Sequence, residues 1–182
     1  PELAKELVSY LRHQLASLVP PFQCDLLQKQ LQYSALKSFR IGWICGDIGN
    51  HPVFRFIYSW FVAVRAGSLQ HEHVVVATHP PDPRYTKLLE SVPGVHWIDL
   101  SSHRTVPEQV MAIRAIDFDL VVDLNGWTGK NIAPAFVARL AMVQVNYLAY
   151  HASSGIPEMD VWLVDKHLLP QSAQLQEWHT ES

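Results

Sequence analysis

Asp119-Leu-Val-Val-Asp123-Leu-Asn125-Gly126-Trp127-Thr128-Gly129 is the stretch that decides the fold. Leu120, Val121, Val122 and Leu124 make an almost unbroken apolar run, the pattern of a parallel strand covered on both faces. A carboxylate, an amide, a hydroxyl and two glycines then sit at or just past its C-terminal end. In an open α/β sheet that end is where ligands bind. The stretch therefore predicts a buried strand over 119–124 that runs into a polar turn at a site.

Similar units lie on either side. Residues 39–45 form a β-branched and aromatic run bounded by glycine, the expected first strand. Pro52 suits the first turn of a helix, where its missing N–H costs nothing, and Phe54, Ile57, Tyr58, Phe61, Val62 and Val64 follow. Further strands are expected at 73–77, 95–98, 143–148 and 161–164, with helices near 84–91, 106–116 and 131–140. This alternation implies an α/β fold with a doubly wound, mostly parallel, Rossmann-like sheet. Ahead of it, Leu3, Leu7, Leu11, Leu15 and Leu18 place one apolar stripe on a helix over 1–19, ended by Pro20-Pro21. A weaker helix is expected over 22–37. Residues 1–38 thus read as a helical linker or the end of a helical array, and 39–182 as the α/β lobe.

Composition narrows the function classes. With 48% hydrophobic and 17% charged residues, the chain is globular rather than disordered. Its 182 residues can bury roughly 70% of the unfolded surface. A formal charge of −3, with 14 Lys+Arg and no basic run, gives nucleic acid little to hold. The apolar stretches fall short of the ~20 residues that span a bilayer, and no secretory signal opens the chain. Neither a nucleic-acid nor a membrane partner is expected. Cys24 and Cys45, at that spacing, read as buried thiols of a reducing, cytoplasmic protein. A chain that begins with Pro1 reads as a piece of a longer protein.

Three segments could carry chemistry. In Asp47-Ile-Gly-Asn50-His51-Pro52, two flanking glycines allow close backbone approach, and His51 falls at a helix start. A histidine there either acts as a base near neutral pH or caps the helix. Asp119 and Asp123 share one strand face, and a buried carboxylate needs a partner. Asp119 reads as bonded to a neighbouring turn, whereas Asp123 stands equally as a structural or a ligand-facing group. Asn146-Tyr-Leu-Ala-Tyr150-His151-Ala-Ser153-Ser154-Gly155 repeats the arrangement of strand and hydroxyl-rich turn. His71 and His73 share a strand face, but no further metal ligands are evident and they read as surface histidines. The dinucleotide fingerprint G-x-G-x-x-G is absent, as are the P-loop, G-x-S-x-G and H-E-x-x-H.

In order and spacing, G-D-I-G-N-H-P at 46–52, D-L-N-G-W-T-G at 123–129, A-R-L-A-M-V-Q-V-N-Y-L-A-Y at 138–150 and S-S-G-I-P-E-M-D at 153–160 resemble glycosyltransferase family 41, the protein O-GlcNAc transferases. The resemblance covers roughly residues 39–170. It implies the N-terminal lobe of a GT-B fold, preceded by TPR-like helices, with the C-terminal lobe lying outside this chain. It further implies an inverting transfer of GlcNAc from UDP-GlcNAc to Ser or Thr of a protein or peptide acceptor. The UDP-sugar is the donor substrate, held mostly by the other lobe, with no metal and no separate cofactor. His51 matches the family's active-site histidine, whose role as base is disputed. Asn50, Asp123, Asn125, Gly126, Tyr150, Ser153, Ser154 and Gly155 match acceptor-side loops. Two departures stand out: Ala149-Tyr-His-Ala-Ser-Ser-Gly155 replaces G-Y-P-G-T-S-G, and Arg139-Leu-Ala-Met142 replaces R-P-A-P. They leave room for an alternative, a non-catalytic partner-binding module descended from that lobe. By the same resemblance, the 182 residues alone are expected to transfer no sugar and to bind UDP weakly.

Overall fold

Arg40–Cys45 forms β1, the strand around which the sheet is built. The computed structural model describes residues 2–23, 38–64, 71–165 and 167. Beside β1 lie Glu72–Ala77 (β2) on one edge and Leu120–Asp123 (β4) on the other. Val95–Asp99 (β3) extends the sheet beyond β2. Val143–Tyr147 (β5) and Val161–Leu163 (β6) extend it beyond β4. All five pairings are parallel, in the order β3-β2-β1-β4-β5-β6. The chain thus winds outward from β1 to β3, then returns to the opposite side at β4. Loops leaving β1 and β4 diverge there, which opens a crevice at the C-terminal ends of the strands.

Helices cover both faces: Glu2–Ala16 (α1), Pro52–Ala63 (α2), Pro83–Glu90 (α3), Val106–Arg114 (α4) and Ala133–Phe136 (α5). Each of α2 to α5 carries a proline in its first two positions, where the fixed φ favours the first turn. Thr105 and Glu108 close a reciprocal capping box at the start of α4. One core layer packs Ile44, Val74, Val76 and Val121 against Val110, Ile113 and Phe136. The other packs Trp43, Cys45, Val75, Val122 and Val145 against Val53, Phe54, Ile57, Phe61 and Leu89. Neighbouring strand residues alternate between the two layers, so β1, β2 and β4 are largely apolar on both faces, while β5 buries Gln144 and Asn146 on one of them.

Strand ends agree with the sequence reading to within a residue or so, but two helices differ. In α1 and the turn after it, Val8, Leu15 and Val19 are buried, whereas Leu7 and Leu18 are exposed. The leucines predicted the helix correctly and its buried face in part: Leu11 and Leu15 meet the lobe, and Leu7 and Leu18 do not. The helix expected over 131–140 is the single turn α5. Arg139, at φ 57°, turns the chain out of the helix. Distant side chains then take the backbone groups that a longer helix would have bonded. The Arg114 guanidinium donates to the carbonyls of Ala138 and Arg139. The Gln144 amide donates to Phe136 O and accepts from Leu140 N. Arg139 itself grips Asp160 with two bonds of 2.9 and 2.8 Å and donates to Met142 O. Replacing Arg139 by Met is expected to destabilise the fold by about 1–3 kcal/mol, because it strands a partly buried carboxylate. An unchanged urea midpoint would contradict this. The helix read over 22–37, apart from 22–23, and Cys24 lie outside the described residues.

Cys45 is buried with a free thiol, and burial pushes that thiol up to about 12. It supplies no thiolate at neutral pH. His73 is buried rather than on the surface: its Nδ1 accepts from the Trp43 indole at 3.2 Å, and its ring sits against Trp60 and Phe61. No described helix is long and apolar enough to cross a membrane.

Candidate active site

At the end of β1 the backbone passes so close to Lys130 that a Cβ on Gly46 would collide with the Lys130 carbonyl oxygen. Only glycine fits there. This close approach is held by Asn125, which is buried just past β4. Its Oδ1 accepts from Gly46 N at 2.8 Å, and its Nδ2 donates to Asp47 Oδ2 at 2.8 Å and Gly129 O at 3.3 Å. One amide therefore ties together the two loops that diverge at the strand-order reversal. Asp47 completes an ion pair through Oδ1, 3.1 Å from Lys130 Nζ. Lys130 reaches across because its backbone is left-handed, at φ 58°.

His51 occupies the residue before α2 with an extended backbone, and its Nδ1 accepts from Val53 N at 3.3 Å. It caps the helix, one of the two roles open to it in the sequence. Its Nδ1 also lies 3.9 Å from Asp47 Oδ2, outside hydrogen-bond range. Asp47, His51, Thr128 and Lys130 form the polar side of a cleft of about 460 Å³. Pro52, Val53, Phe56, Leu148 and Ala149 supply its apolar wall. Phe56 is 63% exposed, so this wall has a ring free to meet a ligand.

Of the residues nominated from the sequence, His51 lines this cleft and the others support or flank it. Asn50 is exposed, and its side-chain oxygen accepts from Arg55 at 2.5 Å. Asp119 accepts from Arg40 N at 2.9 Å, the structural role expected of it. Asp123 is 1% exposed and accepts from Asn125 N at 3.0 Å. Gly126, at φ 53°, lies directly under Tyr150, whose Cβ occupies the space a side chain there would need. Trp127 Nε1 donates to Ser154 O at 2.6 Å. Ser153 Oγ accepts from Gly155 N, and Ser154 Oγ from Ile156 N. These contacts brace the 150–155 turn against the 125–129 turn beneath the cleft. Among the lining residues, Asp47 and Thr128 lie in segments the sequence singled out but were not nominated, and Phe56 and Lys130 were passed over. Lys130 directly follows Gly129, and Asp47 lies four residues before His51.

Below the cleft, Asp123 pairs in register with Asn146 of β5. Asp123 Oδ2 and both side-chain polar atoms of Asn146 are buried without a hydrogen-bond partner. Burial pushes the Asp123 carboxyl up to about 6, against the opposing pull of the Asn125 and Gly126 N–H groups. His79, beyond the end of β2, is held below the usual histidine range by burial and then by the Lys130 charge.

The family-wide sequence pattern of glycosyl transferase family 41 matches residues 21–181. The chain belongs to glycosyl transferase family 41. A probable UDP-N-acetylglucosamine–peptide N-acetylglucosaminyltransferase, SEC, of Arabidopsis thaliana is 23% identical over 84% of this chain and 15% of its own length. The corresponding transferase of Caenorhabditis elegans is 24% identical over 71% of this chain and 11% of its own. The family 41 chain therefore spans a small part of these relatives. Among solved structures, a K341M mutant of the Thermobaculum terrenum O-GlcNAc transferase is similar with a TM-score of 0.67. It is 28% identical, over 79% of this chain and 26% of that one. The six-stranded parallel sheet is accordingly the fold of an O-GlcNAc transferase lobe.

Proposed function

We propose that this chain is the acceptor-side half of an inverting glycosyltransferase that moves GlcNAc from UDP-GlcNAc to Ser or Thr of proteins. The observation that carries the reading is the cleft at the strand-order reversal, where a family 41 chain sets His51 among Asp47, Thr128 and Lys130. Its polar side suits hydroxyl and sugar oxygens, and its apolar wall of Phe56, Leu148 and Ala149 suits a peptide laid across it. Departure of UDP needs positive charge aimed at the diphosphate. Lys130 already neutralises Asp47, so a second lobe is assigned the diphosphate. In this reading residues 1–38 lead from a TPR-like helical region, and the protein works in the cytoplasm.

Full-length protein incubated with UDP-GlcNAc and Ser/Thr peptides is expected to yield a β-linked sugar on the hydroxyl. Wild-type protein that neither transfers nor hydrolyses the donor would sink the proposal. That result would favour a partner-binding module, a reading motivated by the altered 149–155 loop, whose Ala149 lines the cleft. The 182 residues alone are expected to bind UDP more weakly than micromolar by calorimetry; micromolar binding would contradict the division between lobes.

A further inference from the structure

We infer that His51 meets its ligand as a hydrogen-bond donor through Nε2–H, and that the Asp47–Lys130–Asn125 cluster keeps it in that state. A ring nitrogen that accepts a hydrogen bond carries no proton, and His51 Nδ1 accepts from Val53 N. In the neutral ring the proton therefore sits on Nε2. Because Nδ1 faces the first turn of α2, Nε2 is the nitrogen left for the cleft, where the side chain is 44% exposed.

A base needs the opposite arrangement, with a free lone pair on Nε2 and a proton on Nδ1. In catalytic histidines that proton is held by a carboxylate. The candidate here is Asp47, and its geometry rejects the task. Its Oδ2 is 3.9 Å from Nδ1 and already accepts from Asn125, while its Oδ1 is paired with Lys130. Moving Asp47 toward His51 would break both bonds and leave the Val53 N–H without its acceptor. The same loop that resembles a carboxylate–histidine pair in sequence thus builds a fixed donor. Its ligand atom is an oxygen with an available lone pair, from the sugar donor or from the peptide acceptor. Only the identity of those substrates rests on the proposed function; the position of the proton does not.

Long-range ¹H–¹⁵N correlation spectra of the 182-residue chain, recorded where His51 is neutral, test the assignment directly. A protonated Nε2 and a bare Nδ1 are expected, and a proton on Nδ1 overturns the inference whether or not the protein transfers sugar. Transfer by the full-length protein supplies the second arm, with melting temperatures confirming that each variant folds. His51→Gln places an amide donor near the Nε2 position and is expected to keep most activity. His51→Ala is expected to lose about 10²–10³-fold, the usual effect of removing one oriented donor. Equal losses in the two variants would overturn the donor role. A rise in KM for the UDP-sugar rather than for the peptide identifies which substrate supplies the oxygen. If wild-type full-length protein is inactive, the proposed function fails, and the spectra still decide the tautomer.

Discussion

Asp123→Asn is expected to stabilise this protein by about 3 kcal/mol at pH 7.5, with the gain vanishing near pH 4. The carboxyl is 1% exposed, and its ordinary value of 3.8 is pushed up to about 6 by burial. The native state therefore holds the Asp123 proton more tightly than the unfolded chain does. Below pH 4 both states carry the proton and the residue makes no difference. Between about 4 and 6 the unfolded chain is ionised and the native one is not, so stability falls as pH rises, by about 1.4 kcal/mol per unit. Above 6 the full cost of the buried charge remains. Asparagine has no charge to bury, and its oxygen still accepts from Asn125 N. Its amide also offers a donor beside Asn146, whose own side chain lacks a partner. Urea titrations of both proteins across this range check the claim. A difference of the same size at pH 4 and 7.5 would remove titration as its cause, and a less stable variant at pH 7.5 would reverse it.

Asn125→Ala is expected to cost about 3 kcal/mol, since each buried group left without its partner costs about 1–3 kcal/mol. The change orphans Gly46 N and removes a bond from both Asp47 and Gly129 O. Asn125→Asp separates charge from shape. It keeps an acceptor for Gly46 but sets an oxygen where Nδ2 now stands, 2.8 Å from Asp47 Oδ2. Two carboxylates at that distance cannot both ionise cheaply, so this variant is expected to be weak at neutral pH and to recover in acid. Variants that melt with the wild type would show that the amide holds nothing together.

These contrasts explain what the amino-acid order disclosed. The strand at 120–123 was legible because a continuous apolar run has few other uses, and the start of α2 was legible from Pro52. The face of α1 was legible only in part, because Leu7 and Val8 are equally apolar and only the packed lobe chooses between them. The length of α5 was not, because Arg114 and Gln144 take its carbonyls from elsewhere in the fold. At the site, His51 was legible from the loop that precedes Pro52. Phe56 was hidden within an apolar helix, where a ring reads as core. Lys130 gained its place through a left-handed backbone that no local pattern announces. Conversely, Asn125 and Ser154 look like ligand contacts in the sequence, yet their polar groups are spent on neighbouring loops. Polarity at a sheet edge marks where a site lies without saying which groups face it.

Gly46 and Asn125 are separated by 79 positions along the chain. No short segment can form that bond in advance, because β1 and β4 must first be neighbours. Closing this side of the cleft therefore depends on topology more than on local propensity.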